Sequence, residues 1–290
     1  MRIDRSKADA FLFSKVDARA AAWLRLAFAA VIPFFFASRN IGPPSWAGDQ
    51  IARIYESFFL TAGFDLLVAF LCVLLAFGWH SRATAFVLVV LLAPLDFVDI
   101  ARQSRHVMLS ALLSFSFVQS DVIRFPWTSK AAVIDSAGPA WPIRLIQLQL
   151  TVLYGVNAIA KSNPNYLSGD ALMDMSLELE NFRQVLSANV IHFGMLSVPI
   201  AAAAVASALM EYFLASAFWV KPLRWVVAIS GIAFHFVLTR IVHIFMLDYA
   251  TIFLYLAFLL PLVTRARSAP DRSSPQLSAR RQDPPILPEA

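Results

Sequence analysis

Cysteine is almost absent from this chain: its 290 residues contain one, Cys72, so neither an intrachain disulfide nor a cysteine-based zinc site can form. Charge is also scarce, at 15% of residues against about 25% in soluble domains. The glycine patterns that cradle phosphates, GxGxxG and GxxxxGK[ST], do not occur, and neither does the zinc-protease pattern HExxH. No serine stands in a nucleophile-elbow context, which disfavours hydrolase chemistry. His235 and His243 are eight residues apart, about 12 Å along a helix, too far to share a metal as an i,i+4 pair does, and no metal site is expected. The first 18 residues carry charges throughout and lack the apolar core and cleavage site of a signal peptide, so the first apolar run is expected to remain as a span.

What is abundant is apolar surface. Hydrophobic residues make up 59% of the chain, 25 of them Phe, and the mean hydropathy is +0.66. Apolar runs near the ~20 residues needed to cross a bilayer recur along the whole length. The composition therefore predicts an all-α polytopic integral membrane helix bundle of about eight spans, at roughly 19–37, 58–78, 83–99, 107–119, 142–160, 193–219, 223–242 and 247–263. The run at 107–119 is short for a full crossing, and 193–219 is long enough to begin with an interfacial turn.

A net charge of +5 would point to nucleic acid if the cations formed a stripe, but they sit mostly in tails and short loops, so no nucleic-acid partner is expected. Placing the N-terminus in the cytoplasm leaves six Lys and Arg outside (Arg39, Arg53, Arg102, Arg105, Lys161, Arg183) and fifteen inside, with Arg25, Arg144 and Arg240 within spans. That asymmetry predicts both termini cytoplasmic. Residues 1–18 read as an interfacial segment, with Phe11, Leu12, Phe13 and Val16 toward lipid. Residues 19–264 read as the transmembrane domain, and the Pro-, Ser- and Arg-rich 265–290 as a disordered tail. In the outer loop, Leu179, Phe182, Leu186 and Val190 recur at helical spacing, predicting an amphipathic helix on the outer surface.

Ionisable groups at membrane depth need a partner or a task. Asp96, Asp99, His106, Lys161, Arg240, His243 and Asp248 fall toward the outer side; Arg25, Arg144 and Glu211 fall toward the inner, with Asp65, Gln147, Gln149, Tyr154 and His235 nearer mid-depth. Glu211 is expected to pair with Arg25 or Arg144 and so hold helix register. His235 is expected to hydrogen-bond a neighbouring helix. Lys161 directly follows Val156-Asn157-Ala158-Ile159-Ala160 and has two readings, a lysine that snorkels to the interface or a desolvated base.

Several segments together resemble the horizontally transferred transmembrane (HTTM) domain, the membrane part of vitamin K-dependent gamma-carboxylase. They are Trp23-Leu-Arg25-Leu-Ala-Phe28; Ser104-Arg-His106-Val-Met-Leu-Ser-Ala-Leu-Leu-Ser-Phe115; Arg144-Leu-Ile-Gln-Leu-Gln149-Leu-Thr-Val-Leu-Tyr154 continued by Ala158-Ile-Ala-Lys161, Tyr166 and Gly169; and Ala233-Phe-His235 with Arg240 and Phe245-Met-Leu-Asp-Tyr249. The resemblance spans roughly residues 15 to 265. It implies that Lys161 is the base that deprotonates a reduced, vitamin K-like quinone and that His106 lies near that quinone. It also gives His235 a motif position. The sequence departs from the carboxylase in reading Ala160-Lys161 where the carboxylase has a double lysine, and Tyr166 where it has Trp.

The resemblance thus implies a carboxylase-like or quinol-oxidising enzyme of a membrane expected to be the bacterial inner membrane. Lys161 and His106 are its expected catalytic residues, and Gln149, Tyr154, His235 and Arg240 its expected substrate-binding residues. Membrane lipid is an expected partner. The alternative is a non-catalytic membrane protein that binds or matures a small exported peptide, or serves as a scaffold or transporter.

Overall fold

A computed structural model describes residues 9, 11–37, 61–98, 104–122, 125–127, 136–178, 186–187, 190–193, 196–242 and 251–259. The described chain is mostly helical. Its long helices are α1 (Ala18–Ala37), α2 (Ala62–Phe77), α3 (Ser81–Val98), α4 (Ser104–Phe115), α5 (Trp141–Lys161), α8 (Ile200–Ala217) and α9 (Arg224–Val242). Two short ones, α6 (Pro164–Leu167) and α7 (Asp170–Glu178), follow α5, and residues 251–259 add a last helical stretch. Helices thus occupy all eight expected positions. Three stretches, Trp141–Lys161, Ile200–Ala217 and Lys221–Leu238, are long and apolar enough to cross a membrane; Ala62–Phe77, Ser81–Leu95 and His106–Phe115 are apolar but shorter.

The apolar residues of these helices face both inward and outward. On α2, Phe64, Val68, Cys72 and Leu75 are buried, while Leu66, Phe70, Val73 and Phe77 on the opposite side are more than half exposed. In water such a helix would keep one polar face. Chemistry of this kind on both faces requires an apolar solvent outside the bundle, so the chain is a membrane protein.

Helices adjacent in sequence pack together from α1 to α5, and α8 lies against both α5 and α9. The α5–α8 pair is antiparallel: Lys161 reaches Glu211, and Trp219 Nε1 donates to Thr151 Oγ1 at 2.9 Å. The first residues of α8 therefore project past the end of α5, where α6 and α7 cover them.

Two expectations change here. Leu186 and Val190 do not continue an amphipathic helix. They lie in β3 (Leu186–Ser187) and β4 (Val190–Phe193), which with β5 (Leu196–Pro199) form a three-stranded antiparallel sheet. Register pairs Phe193 with Leu196 and Ile191 with Val198. Val190, Ile191, Phe193 and Val198 favour a pleated, half-buried surface, and only Gly194 and Met195 separate the strands, a hairpin-length connection. Helix α8 accordingly starts at Ile200, not near 193, and Pro199 precedes its first turn. Leu179 and Phe182 lie outside the described residues.

At the N-terminus, Phe11, Leu12 and Phe13 are exposed as an interfacial segment requires, but Val16 is buried. It belongs to β1 (Lys15–Asp17), which pairs with β2 (Ser136–Pro139). The 265–290 tail lies outside the described residues.

Candidate functional site

Lys161 occupies the last turn of α5, and its side chain turns inward onto α8. Its Nζ donates to Glu211 Oε1 at 2.8 Å and to Ser207 Oγ at 3.1 Å. Ser207 and Glu211 are four residues apart, one helical turn, so α8 offers both acceptors on one face. Glu211 is 4% exposed, and its second oxygen, Oε2, has no hydrogen-bond partner among the described residues.

The turn after α5 completes the group. Asn163 caps α6 by accepting from the Tyr166 backbone N–H at 2.9 Å, and Pro164 is fixed in the first helical turn, where its missing N–H costs nothing. The Tyr166 ring is thereby brought back over Lys161, with Nζ 5.4 Å from the ring centre, and its hydroxyl lies 3.2 Å from Ser207 Oγ. Gly169 sets this turn against α8. Its φ is +93°, and a Cβ there would stand 2.7 Å from the Ile200 side chain, so the close approach needs glycine.

Beside this group is a cavity of about 480 Å³ between α8, α9, α7 and the β4–β5 hairpin. Its wall is apolar, with Ala203, Ala206, Met210, Phe234 and Val237, and the polar groups on it are Tyr166, Ser207 and Ser230. The size and the few convergent polar groups fit a site for a small lipid-soluble molecule. Lys161 reaches the same corner through Ser207.

A second polar cluster lies two turns from Lys161 on α5. Tyr154 Oη is 2.6 Å from His235 Nε2 of α9 and 2.5 Å from Tyr255 Oη, and Thr251 Oγ1 is 3.2 Å from the same imidazole nitrogen. All four residues are buried. His235 thus has the interhelical hydrogen bond expected of it. Tyr255 fits because Gly231, one turn before His235, has no side chain: a Cβ there would meet Tyr255 Oη at 2.6 Å. This cluster joins α5, α9 and the 251–259 stretch.

The remaining candidates fall elsewhere. Gln149 donates from Nε2 to the Val107 carbonyl at 2.8 Å and to Ser110 Oγ, which ties α4 to α5. His106, exposed and next to Val107, is therefore level with Gln149. Twelve residues separate Gln149 from Lys161, about 18 Å along the helix, so the structure does not bring His106 and Lys161 together. Arg240 lies on α9, but its side chain and that of Asp96 are outside the described residues, as are Asp99, His243 and Asp248.

Glu211 does not pair with Arg25 or Arg144 as expected; its partner is Lys161. Arg25, fully buried, donates to the Ser120 carbonyl, and Arg144 donates to Gln147 Oε1 at 2.8 Å and stacks on Phe11. The cause is the antiparallel α5–α8 packing, which brings the end of α5 to the middle of α8. Sequence reading missed Ser207, Thr251 and Tyr255. The available signal was the polar i,i+4 pair Ser207 and Glu211 in an otherwise apolar helix. Among the described residues no group of three His, Cys, Asp or Glu is placed to hold a metal.

A family model described as the HTTM domain matches residues 50–261. No curated protein and no solved structure matches the chain.

Proposed function

The chain belongs to the HTTM domain family, and from that premise we propose that it is a membrane enzyme in which Lys161 and Glu211 remove a proton from a lipid-soluble, hydroquinone-like substrate held in the cavity between α8 and α9. One observation carries the reading: Ser207, which stands on the wall of the apolar cavity beside Tyr166, accepts from the Lys161 ammonium that Glu211 holds behind it. A vitamin K-type reduced quinone supplies an acidic phenolic hydroxyl on an apolar body, which suits one polar corner in an apolar chamber.

The residues of the chain divide the work. Glu211 takes a proton from Nζ, leaving a neutral amine, and that amine accepts the substrate's hydroxyl proton. Tyr166 and Ser207 orient the hydroxyl by hydrogen bonding. Burial of Glu211 keeps water from its side of the pair, which strengthens the electrostatics. The inner-membrane location, with the Lys161 end outside, belongs to the same proposal.

The rival is a non-catalytic role in which Lys161–Glu211 only clamps α5 to α8. The test is consumption of 2-methyl-1,4-naphthohydroquinone in air by the purified full chain, beside hydroquinone binding measured without oxygen. Lys161→Arg keeps the charge and the partner but does not deprotonate. It is expected to lower turnover by about 10²-fold or more while binding persists. Turnover equal to wild type in Lys161→Arg assigns the pair to the clamp.

A further inference from the structure

Every tryptophan among the described residues lies at one end of the bundle. Trp23 is near the start of α1, Trp79 is in the turn between α2 and α3, Trp127 follows the Ser120–Val122 turn, Trp141 opens α5, Trp219 follows α8 and Trp225 is near the start of α9. The rings are linked. Trp23 contacts Trp127 at 5.9 Å between ring centres, Trp127 stacks on Phe125 at 5.1 Å, and Phe125 meets Phe77 edge-on at 5.6 Å. Trp141 contacts Phe117 at 5.2 Å, and Trp219 contacts Phe11 at 5.8 Å. Trp79 and Trp127 are each 64% exposed and Trp225 is 50% exposed, all on the outside of the bundle.

Charge follows the same division. The tryptophan end carries exposed Lys15, Arg82 and Lys221 and partly buried Arg19 and Arg144. Its described acids are Asp9, Asp17 and Asp121, and Asp17 is occupied by the Arg19 backbone N–H at 2.7 Å. At the opposite end the one Lys or Arg whose side chain is described is Lys161, held by Glu211, and Asp65, Asp170 and Asp174 are exposed.

We infer that the tryptophan end is a headgroup-level collar that binds an anionic phospholipid leaflet. Indole is apolar over its body and donates one N–H at its edge, so it is most stable at the boundary between acyl chain and headgroup. Lysine and arginine at the same depth meet lipid phosphates and raise the local concentration of anionic headgroups. Among the described residues the ends differ in both features at once, and the division of Lys and Arg over the whole sequence, fifteen to six, runs the same way, which gives the preference its side. The cavity beside Lys161 lies toward the other end of the bundle. The collar does not depend on any chemistry at Lys161.

The experiment uses the full chain in phosphatidylcholine nanodiscs doped, at equal low fraction, with either brominated phosphatidylglycerol or brominated phosphatidylcholine, reading tryptophan fluorescence. Brominated phosphatidylglycerol is expected to quench about 3-fold more strongly at low ionic strength, and the excess should fall in high salt. Lys15→Gln/Arg82→Gln/Lys221→Gln together should remove the excess while leaving quenching by the zwitterionic lipid unchanged. Inorganic phosphate added to undoped discs is expected to leave the fluorescence unaltered, which separates a lipid collar from a site for the free anion. Equal quenching by the two brominated lipids, or an excess that survives the triple substitution, overturns the inference.

Discussion

Lys161 Nζ stands 2.8 Å from Glu211 Oε1, although the two residues are on helices separated in the described chain by two short helices and a small sheet. The contact couples the end of α5 to the middle of α8, the most extensive helix pair among the described residues. It also leaves Glu211 Oε2 buried without a hydrogen-bond partner among the described residues. A buried acceptor left over in this way is costly to keep. In the proposed mechanism this carboxylate is the group that takes the proton from Nζ.

Glu211→Gln should destabilise the protein, because it leaves the Lys161 ammonium with Ser207 but without its counter-charge. Loss of one member of a buried pair costs roughly 3–5 kcal/mol; partial exposure of Lys161, at 23%, puts the effect at or below the lower end of that range. Lys161→Met combined with Glu211→Met should recover most of the loss, since two apolar groups leave no orphaned charge. Thermal unfolding in detergent reads both, and a Glu211→Gln protein as stable as wild type would refute the account.

Gly231→Ala should destabilise even though alanine is the better helix former by roughly 1 kcal/mol. The added Cβ meets Tyr255 Oη at 2.6 Å and Cε2 at 2.8 Å, so the ring must leave Tyr154 and His235. Overpacking of this kind costs about 1–3 kcal/mol. In a Tyr255→Ala background the clash disappears and the same change should stabilise. An unchanged sign in the two backgrounds contradicts the packing argument.

Gly169→Ala should weaken hydroquinone binding although Gly169 itself is not part of the cavity wall. The residue has φ +93°, and its Cβ would stand 3.1 Å from the Ala201 backbone N, so the turn carrying Tyr166 must lift away from α8. Backbone strain at such a position costs about 1–3 kcal/mol. The expected result is a several-fold weaker binding constant, matched by Tyr166→Phe, whose hydroxyl no longer reaches Ser207. Binding unaffected in both variants would remove Tyr166 from the site.

Topology gives a chemical test. Single cysteines at Ser162 and at Lys221, in a Cys72→Ser background, stand at opposite ends of the antiparallel α5–α8 pair and should label from opposite sides of the membrane. On the proposed orientation Ser162 is the position that labels from outside. Labelling of both from one side with an impermeant reagent would contradict the helix-pair geometry.

The sequence by itself determined the solvent and the helices. Continuous apolar runs satisfy the backbone internally in lipid, and that requirement is local, which is why a helix lies at each expected position and why α4, read as short, has only 12 residues. The interhelical role of His235 was legible for the same reason: a lone imidazole in an apolar helix must find its partner on another helix. Pairing was decided by the tertiary structure. Arg25, Arg144 and Lys161 are equivalent to a charge count, and only the antiparallel seating of α8 on α5 gives Glu211 to Lys161. The same seating leaves His106 level with Gln149, away from Lys161. The spacing of Leu186 and Val190 suited a helix face equally well, and cross-strand hydrogen bonding between β4 and β5 resolved it toward a sheet. Local patterns set what each segment can be; which side chains meet depends on the depth at which helices far apart in sequence pack, and no local pattern encodes that depth.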